Sequence, residues 1–193
     1  MALATGMRQG ELFGLKWGDV DLKNGTISVQ RSVVEEQTTT VQGKRTLRPA
    51  TGEPKTKSGR RLINLPATAT AALRRHRKQM FAEGHMAWVF CDVAGGLLRR
   101  SNFIRRQWKP LLEAVDGKLR RGHELPRGFK FHHLRHTAAS LRLAQGDHPK
   151  VVQEMLGHAR ISITLDLYSH LMPSLQADSA ERFEKALSKM AKA

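Results

Sequence analysis

Tyrosine and cysteine each occur once in the 193 residues, at Tyr168 and Cys91. A lone cysteine excludes an internal disulfide and suits a reducing compartment. No apolar run approaches the roughly 20 residues that a membrane-spanning helix needs. The opening MALATGMRQGEL has no positive segment ahead of an apolar one, unlike a secretory signal. The expectation is a soluble, cytoplasmic protein with no membrane partner. Aromatics make up only 6% of the chain, too few for stacking on single-stranded nucleic acid to dominate. Acidic residues are scarce as well: 17 Asp and Glu face 33 Lys and Arg, a formal charge of +16. A field of that sign attracts polyanions, and a basic surface poor in aromatics suits duplex DNA held by its phosphates. Charge alone leaves nucleic acid only modestly ahead of an ordinary basic protein such as a ribosomal or membrane-surface component.

Two common chemistries lack their residues. A stretch ending at Lys57-Ser58 approaches the phosphate-loop pattern GxxxxGKS, but Thr51 and Thr56 stand where it needs glycine. His132 and His136 have the spacing of a zinc-protease pair, yet H-E-x-x-H needs glutamate at 133 and this chain has His133. No carboxylate cluster suggests a two-metal site. No metal and no cofactor is expected.

The length allows one substantial core or at most two small domains. Residues 8–17 read as a short amphipathic helix, uncapped, with Leu12, Phe13 and Leu15 inward and Gly18-Asp19 at its end. Residues 26–34 (TISVQRSVV) alternate and are β-branched, which predicts a strand, and RRLINLP at 60–66 predicts a second. Between them a polar, Thr- and Gly-rich stretch reads as a long, mobile, basic hairpin. A helix is expected over 67–83, a short strand at 88–90, and a helix capped by Ser101 that stops at Pro110. Residues 116–130 read as a loop. Helices follow over 132–145 and 149–156, the second opening on Pro149 and ending at Gly157. Ser162 is placed as the cap of the next helix, which carries Leu165, Leu167 and Tyr168. Phe183, Ala186, Leu187 and Met190 form an apolar stripe on a final helix. The fold class expected is α+β, mainly α-helical, with a small antiparallel sheet or hairpin packed on a helical core.

The helix at 132–145 carries the most chemistry. At about 100° per residue, His132, Arg135, His136 and Ala139 fall on one face and Leu134, Ala138 and Leu141 on the other. An arginine fork and an imidazole three residues apart suit a phosphate, the first binding nonbridging oxygens and the second moving a proton. Taken singly, each histidine would read as an ordinary surface or core residue.

Four segments, covering nearly the whole chain, resemble the boxes of the tyrosine recombinases, or phage integrases. TGMRQGELFGLKWGDVDL is similar to the first box and points to Arg8, with Glu11 as its acidic helper. PKTKSGRRLINLP resembles the β-hairpin lysine segment and points to Lys57. FHHLRHTAAS matches H-x-x-R at His132 and Arg135, and LGHARISITLDLYSHL supplies His158 and Tyr168. Each motif is weak alone; all four in family order and spacing are a specific match.

The resemblance implies a recombinase catalytic domain over residues 1–174, in which Tyr168 attacks a DNA phosphodiester without metal or ATP. Arg8, Lys57, His132, Arg135 and His158 would complete the site, with Glu11 orienting Arg8. Lys55, Arg60 and Arg61 flank Lys57 and are expected to grip the DNA backbone. Residues 175–193 would form a helix that either packs within the chain or is exchanged between protomers. A homotetramer on synapsed DNA is implied for the full-length protein, with the isolated fragment a monomer. The resemblance also implies an N-terminal DNA-clamping domain and a first catalytic helix ahead of residue 1, so that this chain is a catalytic fragment. The alternatives are a non-catalytic DNA-binding fragment of the same fold, DNA relaxation of the type IB topoisomerase kind, and a ribosomal-type RNA binder, which explains the charge but not the boxes.

Overall fold

The structure, a computed structural model, describes residues 1–39, 45–53, 57–80, 84–119, 124–168 and 172–190, with the side chains at 57, 167, 168, 172–176, 178 and 189 outside that description. The first two helices are short. α1 (Ala2–Thr5) ends on Gly6, whose φ of 60° is left-handed and suits glycine. α2 (Gln9–Phe13) is capped after all: Arg8 takes the extended N-cap position and Glu11 reaches back to accept its N–H at 2.9 Å.

Three strands then form an antiparallel sheet in the order β1 (Val20–Asp21), β2 (Thr26–Val29), β5 (Arg61–Asn64). Ile27 sits opposite Ile63, and Ile27, Val29 and Ile63 all point into the core. The strand expected over 26–34 is interrupted at Gln30 and Arg31. There Arg31 leaves the sheet to bind Asp19 and to donate to the Gly14 carbonyl at 3.2 Å. The chain then pairs elsewhere: β3 (Ser32–Thr39) and β4 (Arg45–Gly52) make a separate two-stranded hairpin, with Gln37 opposite Leu47. A hairpin does occupy the stretch between β2 and β5, as the composition suggested.

α3 (Ala67–Gln79) follows Pro66. Residues 88–90 form no strand. Val89 is fully buried and donates to the Leu15 carbonyl at 2.8 Å, while neighbouring Trp88 makes only an isolated bridge to Lys16. Ser101 lies inside α4 (Arg100–Phe103) rather than capping it, and the helix does not stop at Pro110. A π-helical segment, Ile104–Trp108, leads directly into α5 (Lys109–Asp116), and its wider turn accommodates the missing proline N–H. Residues 124–130 contain no helix or strand.

The last third is helical. α6 (His133–Ala144) buries Arg135, Ala138, Ala139 and Leu143, so both faces contribute to the packing, while Leu141 is exposed. α7 (Pro149–Leu156) ends on Gly157 at φ 67°, as its sequence indicated. α8 (Ile161–Tyr168) already contains Ser162, and α9 (Met172–Met190) presents Phe183, Leu187 and Met190 to solvent. Met7, Leu12, Leu15, Ile27, Val29, Ile63, Leu73, Leu143, Val152 and Leu156 unite the two halves in one core. Each such side chain contributes about 1.5–3 kcal/mol of burial free energy. No helix among the described residues is long and apolar enough to cross a membrane.

Candidate active site

The core brings four of the expected residues to one place, and two tight glycines do much of the positioning. Gly6 lies against α7 so closely that a Cβ there would stand 2.5 Å from Leu156 Cδ2. A Cβ on Gly157 would stand 2.7 Å from the Ser58 carbonyl oxygen. The first contact seats the Arg8 turn on α6 and α7. The second holds the Lys57–Gly59 turn against the residue before His158.

Arg8 is partly exposed, at 43%, and donates through Nη1 to Glu11 Oε1 at 2.8 Å. Glu11 is only 3% exposed. A second guanidinium, Arg61, donates to its Oε2 at 2.8 Å and its Oε1 at 3.2 Å. Burial pushes the Glu11 carboxyl up, but the Arg61 hydrogen bonds and charge, with those of Arg8, outweigh it and hold the pKa below the usual value. Arg61 itself is 6% exposed and also donates to the Met155 and Gly59 carbonyls. Its guanidinium therefore lies beneath the site rather than on the DNA-facing surface expected for it. Arg60 is exposed and paired with Glu53 at 2.7 Å. Lys55, and the side chains of Lys57 and Tyr168, lie outside the described residues.

Arg135 is 4% exposed and donates from Nη1 to the Gly6 carbonyl at 2.7 Å and from Nη2 to the Leu156 carbonyl at 2.6 Å. Those bonds fix the plane of the guanidinium. Burial first, then the charge of Arg8, lowers its pKa to about 9, which still leaves it charged at neutral pH. His132 is the N-cap residue of α6, exposed, with its ring 5.0 Å from that of His136. Burial, then His136, Arg135 and Arg8, lower its pKa. His158 is half-buried and its Nδ1 lies 3.0 Å from Thr164 Oγ1. Burial, then Arg135, Arg8 and Arg61, pull its pKa to about 4, so the ring is neutral at pH 7. Arg8, His132, Arg135 and His158 thus lie within electrostatic reach of one another, with the Glu11 carboxylate paired to Arg8 at the edge of the cluster.

Sequence reasoning missed the inward role of Arg61 and the part played by Thr164. The first had a signal: in a strand of period two, Arg61 shares the face of buried Ile63. A cavity of about 960 Å³ opens between Gln9, Phe13, Val33, Trp108 and Phe131 and reaches His132. Arg8, Arg135 and His158 do not line it, so it adjoins the cluster at His132 without enclosing it. Among the described residues, no three His, Cys, Asp or Glu side chains group as metal ligands would.

The phage integrase family model matches residues 1–174. A tyrosine recombinase XerC-like protein of Caldanaerobacter subterraneus subsp. tengcongensis is 31% identical over 94% of this chain and 46% of its own length. The transposase from transposon Tn916 of Enterococcus faecalis is 27% identical over 87% of this chain and 40% of its own. The chain therefore spans less than half the length of these relatives. Among solved structures, the Tn1549 transposon integrase in complex with circular intermediate DNA superposes with a TM-score of 0.74 at 26% identity, covering 94% of this chain and 57% of that one.

Proposed function

The chain belongs to the phage integrase family, and on that premise we propose that it is the catalytic part of a site-specific recombinase that cuts and rejoins duplex DNA through a 3′-phosphotyrosyl bond on Tyr168. The observation that carries this reading is the cluster of Arg8, His132, Arg135 and His158, drawn from separate segments and sharing one electrostatic environment. The guanidinium groups of Arg8, Arg61 and Arg135 outnumber the Glu11 carboxylate there, and a scissile phosphate supplies a further anion.

A free phenol has a pKa of about 10 and attacks poorly at neutral pH. Fixed cations favour the phenolate and the additional negative charge of the pentavalent transition state. Arg8 and Arg135 bind the nonbridging oxygens, each already oriented by Glu11 or by backbone carbonyls. His132 takes the phenolic proton as the Tyr168 oxygen bonds to phosphorus. Lys57 donates a proton to the 5′ oxygen as its bond to phosphorus breaks. His158 donates a hydrogen bond to a nonbridging oxygen. The 5′-hydroxyl of another strand then attacks the phosphotyrosine, which releases Tyr168 and restores a phosphodiester. The bond energy is retained throughout, so the reaction needs neither ATP nor metal. Lys55 and Arg60 serve as backbone contacts, and in the full-length protein residues 175–193 dock on a neighbouring protomer of a tetramer. The exposed α9 stripe supports that docking.

Incubation with a nicked suicide DNA substrate at low salt tests the reading. A covalent DNA–protein adduct is expected with this chain and none with Tyr168→Phe. An adduct that survives Tyr168→Phe overturns the assignment of the nucleophile. Binding without any adduct favours a non-catalytic DNA-binding module.

A further inference from the structure

Neutral imidazole carries one donor nitrogen and one acceptor nitrogen, and the partner of one decides the role of the other. In His158 that partner is Thr164, whose Oγ1 lies 3.0 Å from Nδ1. Thr164 is fully buried even though Ile163 and Leu165 on either side of it are exposed. Three other threonines, Thr5, Thr70 and Thr137, return their hydroxyl hydrogen to the carbonyl four residues earlier, at 3.0, 3.4 and 3.0 Å. Thr164 makes no such bond among the described residues; its hydroxyl meets the imidazole instead.

Among the described residues the Thr164 hydroxyl has His158 Nδ1 as its one hydrogen-bond partner, and a buried hydroxyl so placed gives that partner its hydrogen. Were Nδ1 the donor, the Thr164 hydrogen would be left buried with no acceptor, which is the costly arrangement. Nδ1 therefore accepts, and Nε2 carries the ring hydrogen. The backbone around the ring is held as well: His158 N–H donates to the Gln153 carbonyl at 3.1 Å, and Gln153 Nε2 donates to the His158 carbonyl at 3.0 Å. Gln153 is itself buried.

We propose that Thr164 is a positioning residue that locks His158 in the Nε2–H tautomer, making that nitrogen a hydrogen-bond donor to the phosphate. The low pKa of the ring supports this, because a cation would make both nitrogens donors and abolish the bond from Thr164. Thr164 lies one turn before Tyr168 in α8, so the same hydroxyl ties the phosphate-binding histidine to the helix that carries the nucleophile. The catalytic consequence rests on the recombinase reading; the tautomer does not.

Long-range proton–nitrogen correlation spectra of the ¹⁵N-histidine-labelled chain at pH 7 read the tautomer directly, with the His158 signal assigned by its loss in His158→Gln. The Nε2–H pattern is expected in the unaltered chain and in Thr164→Ser, and a mixed or Nδ1–H pattern in Thr164→Val. An Nδ1–H ring in the unaltered chain overturns the proposal with no variant needed. So does an unchanged Nε2–H pattern in folded Thr164→Val. On suicide DNA, adduct formation should slow about tenfold in Thr164→Val and recover in Thr164→Ser. Rates equal in all three overturn the catalytic part. A correct tautomer in a chain that forms no adduct sinks the recombinase reading and leaves the hold of Thr164 on the ring established.

Discussion

Replacing Glu11 by glutamine removes the one negative charge between two arginines while keeping the side chain's size. Its carboxylate accepts from Arg8 N at 2.9 Å, Arg8 Nη1 at 2.8 Å, Arg61 Nη2 at 2.8 Å and Arg61 Nη1 at 3.2 Å. A glutamine accepts at one end only and turns its amide N–H groups toward donors at the other. Arg61, 6% exposed, keeps its charge and loses its counter-ion. Breaking a buried pair in this way costs about 3–5 kcal/mol. For a chain of this size each kcal/mol lowers Tm by about 2–4 °C, so a drop of roughly 10 °C is expected. Thermal unfolding followed by circular dichroism measures it. The pH dependence carries a sign. The folded pKa of Glu11 lies below its ordinary 4.5, so the carboxylate's contribution is complete above that value and is lost as pH falls through the folded one. Wild type and Glu11→Gln should therefore differ at pH 7 and converge in acid. Adding Arg61→Met should recover part of the loss by removing the orphaned cation. A Tm within about 2 °C of wild type at pH 7 would refute the buried-pair argument.

Gly157→Ala forces a side chain into a left-handed φ of 67° and sets its Cβ 2.7 Å from the Ser58 carbonyl. A loss of about 2 kcal/mol or more in urea unfolding is expected, and an unchanged midpoint would mean that the two turns do not touch. The His158 ring should titrate near pH 4 by NMR. Its folded pKa lies below the unfolded one, so this group's effect is to weaken the fold as pH drops from 6.5 toward 4; a midpoint above 6 contradicts the arrangement. Phe183→Ser with Leu187→Ser should leave unfolding of the isolated chain within about 0.5 kcal/mol, because both side chains are exposed. The same pair should weaken multimeric assembly on synapsed DNA, and a marked loss of monomer stability would instead place the stripe against its own core.

Local chemistry made some elements readable from the sequence. Pro149 and Gly157 bracket α7 because one fits a first helical turn and the other a left-handed cap. The break after Val29 was hidden, since Gln30 and Arg31 continue a strand-like alternation and only Asp19, twelve residues earlier, draws Arg31 away. Continuation through Pro110 was equally hidden, because it depends on a widened turn that no residue type announces. In the site, three of the four boxes point to Arg8, His132, Arg135 and His158, but not to what holds them. The acid that orients Arg8 was visible three residues away, whereas its other partner, Arg61, lies 50 residues on. In α8, hydropathy points the wrong way: Ile161, Ile163 and Leu165 face solvent and Thr164 is inside. Its reason is a hydrogen bond, which hydropathy does not register.

The bonds that orient the arginines also set when during folding the cluster comes into being. Arg135 reaches a carbonyl 129 residues away in sequence, and Arg61 reaches one 94 residues away. Closing loops of that length precedes any stabilisation the contacts return, so such pairings form late. α7 or the β3–β4 hairpin can assemble early from nearby residues, yet neither contains the arginine cluster alone. On the recombinase reading, a partly folded chain would therefore hold its tyrosine without the cations proposed to activate it, and would gain activity toward DNA only once its first turn has met its last helices.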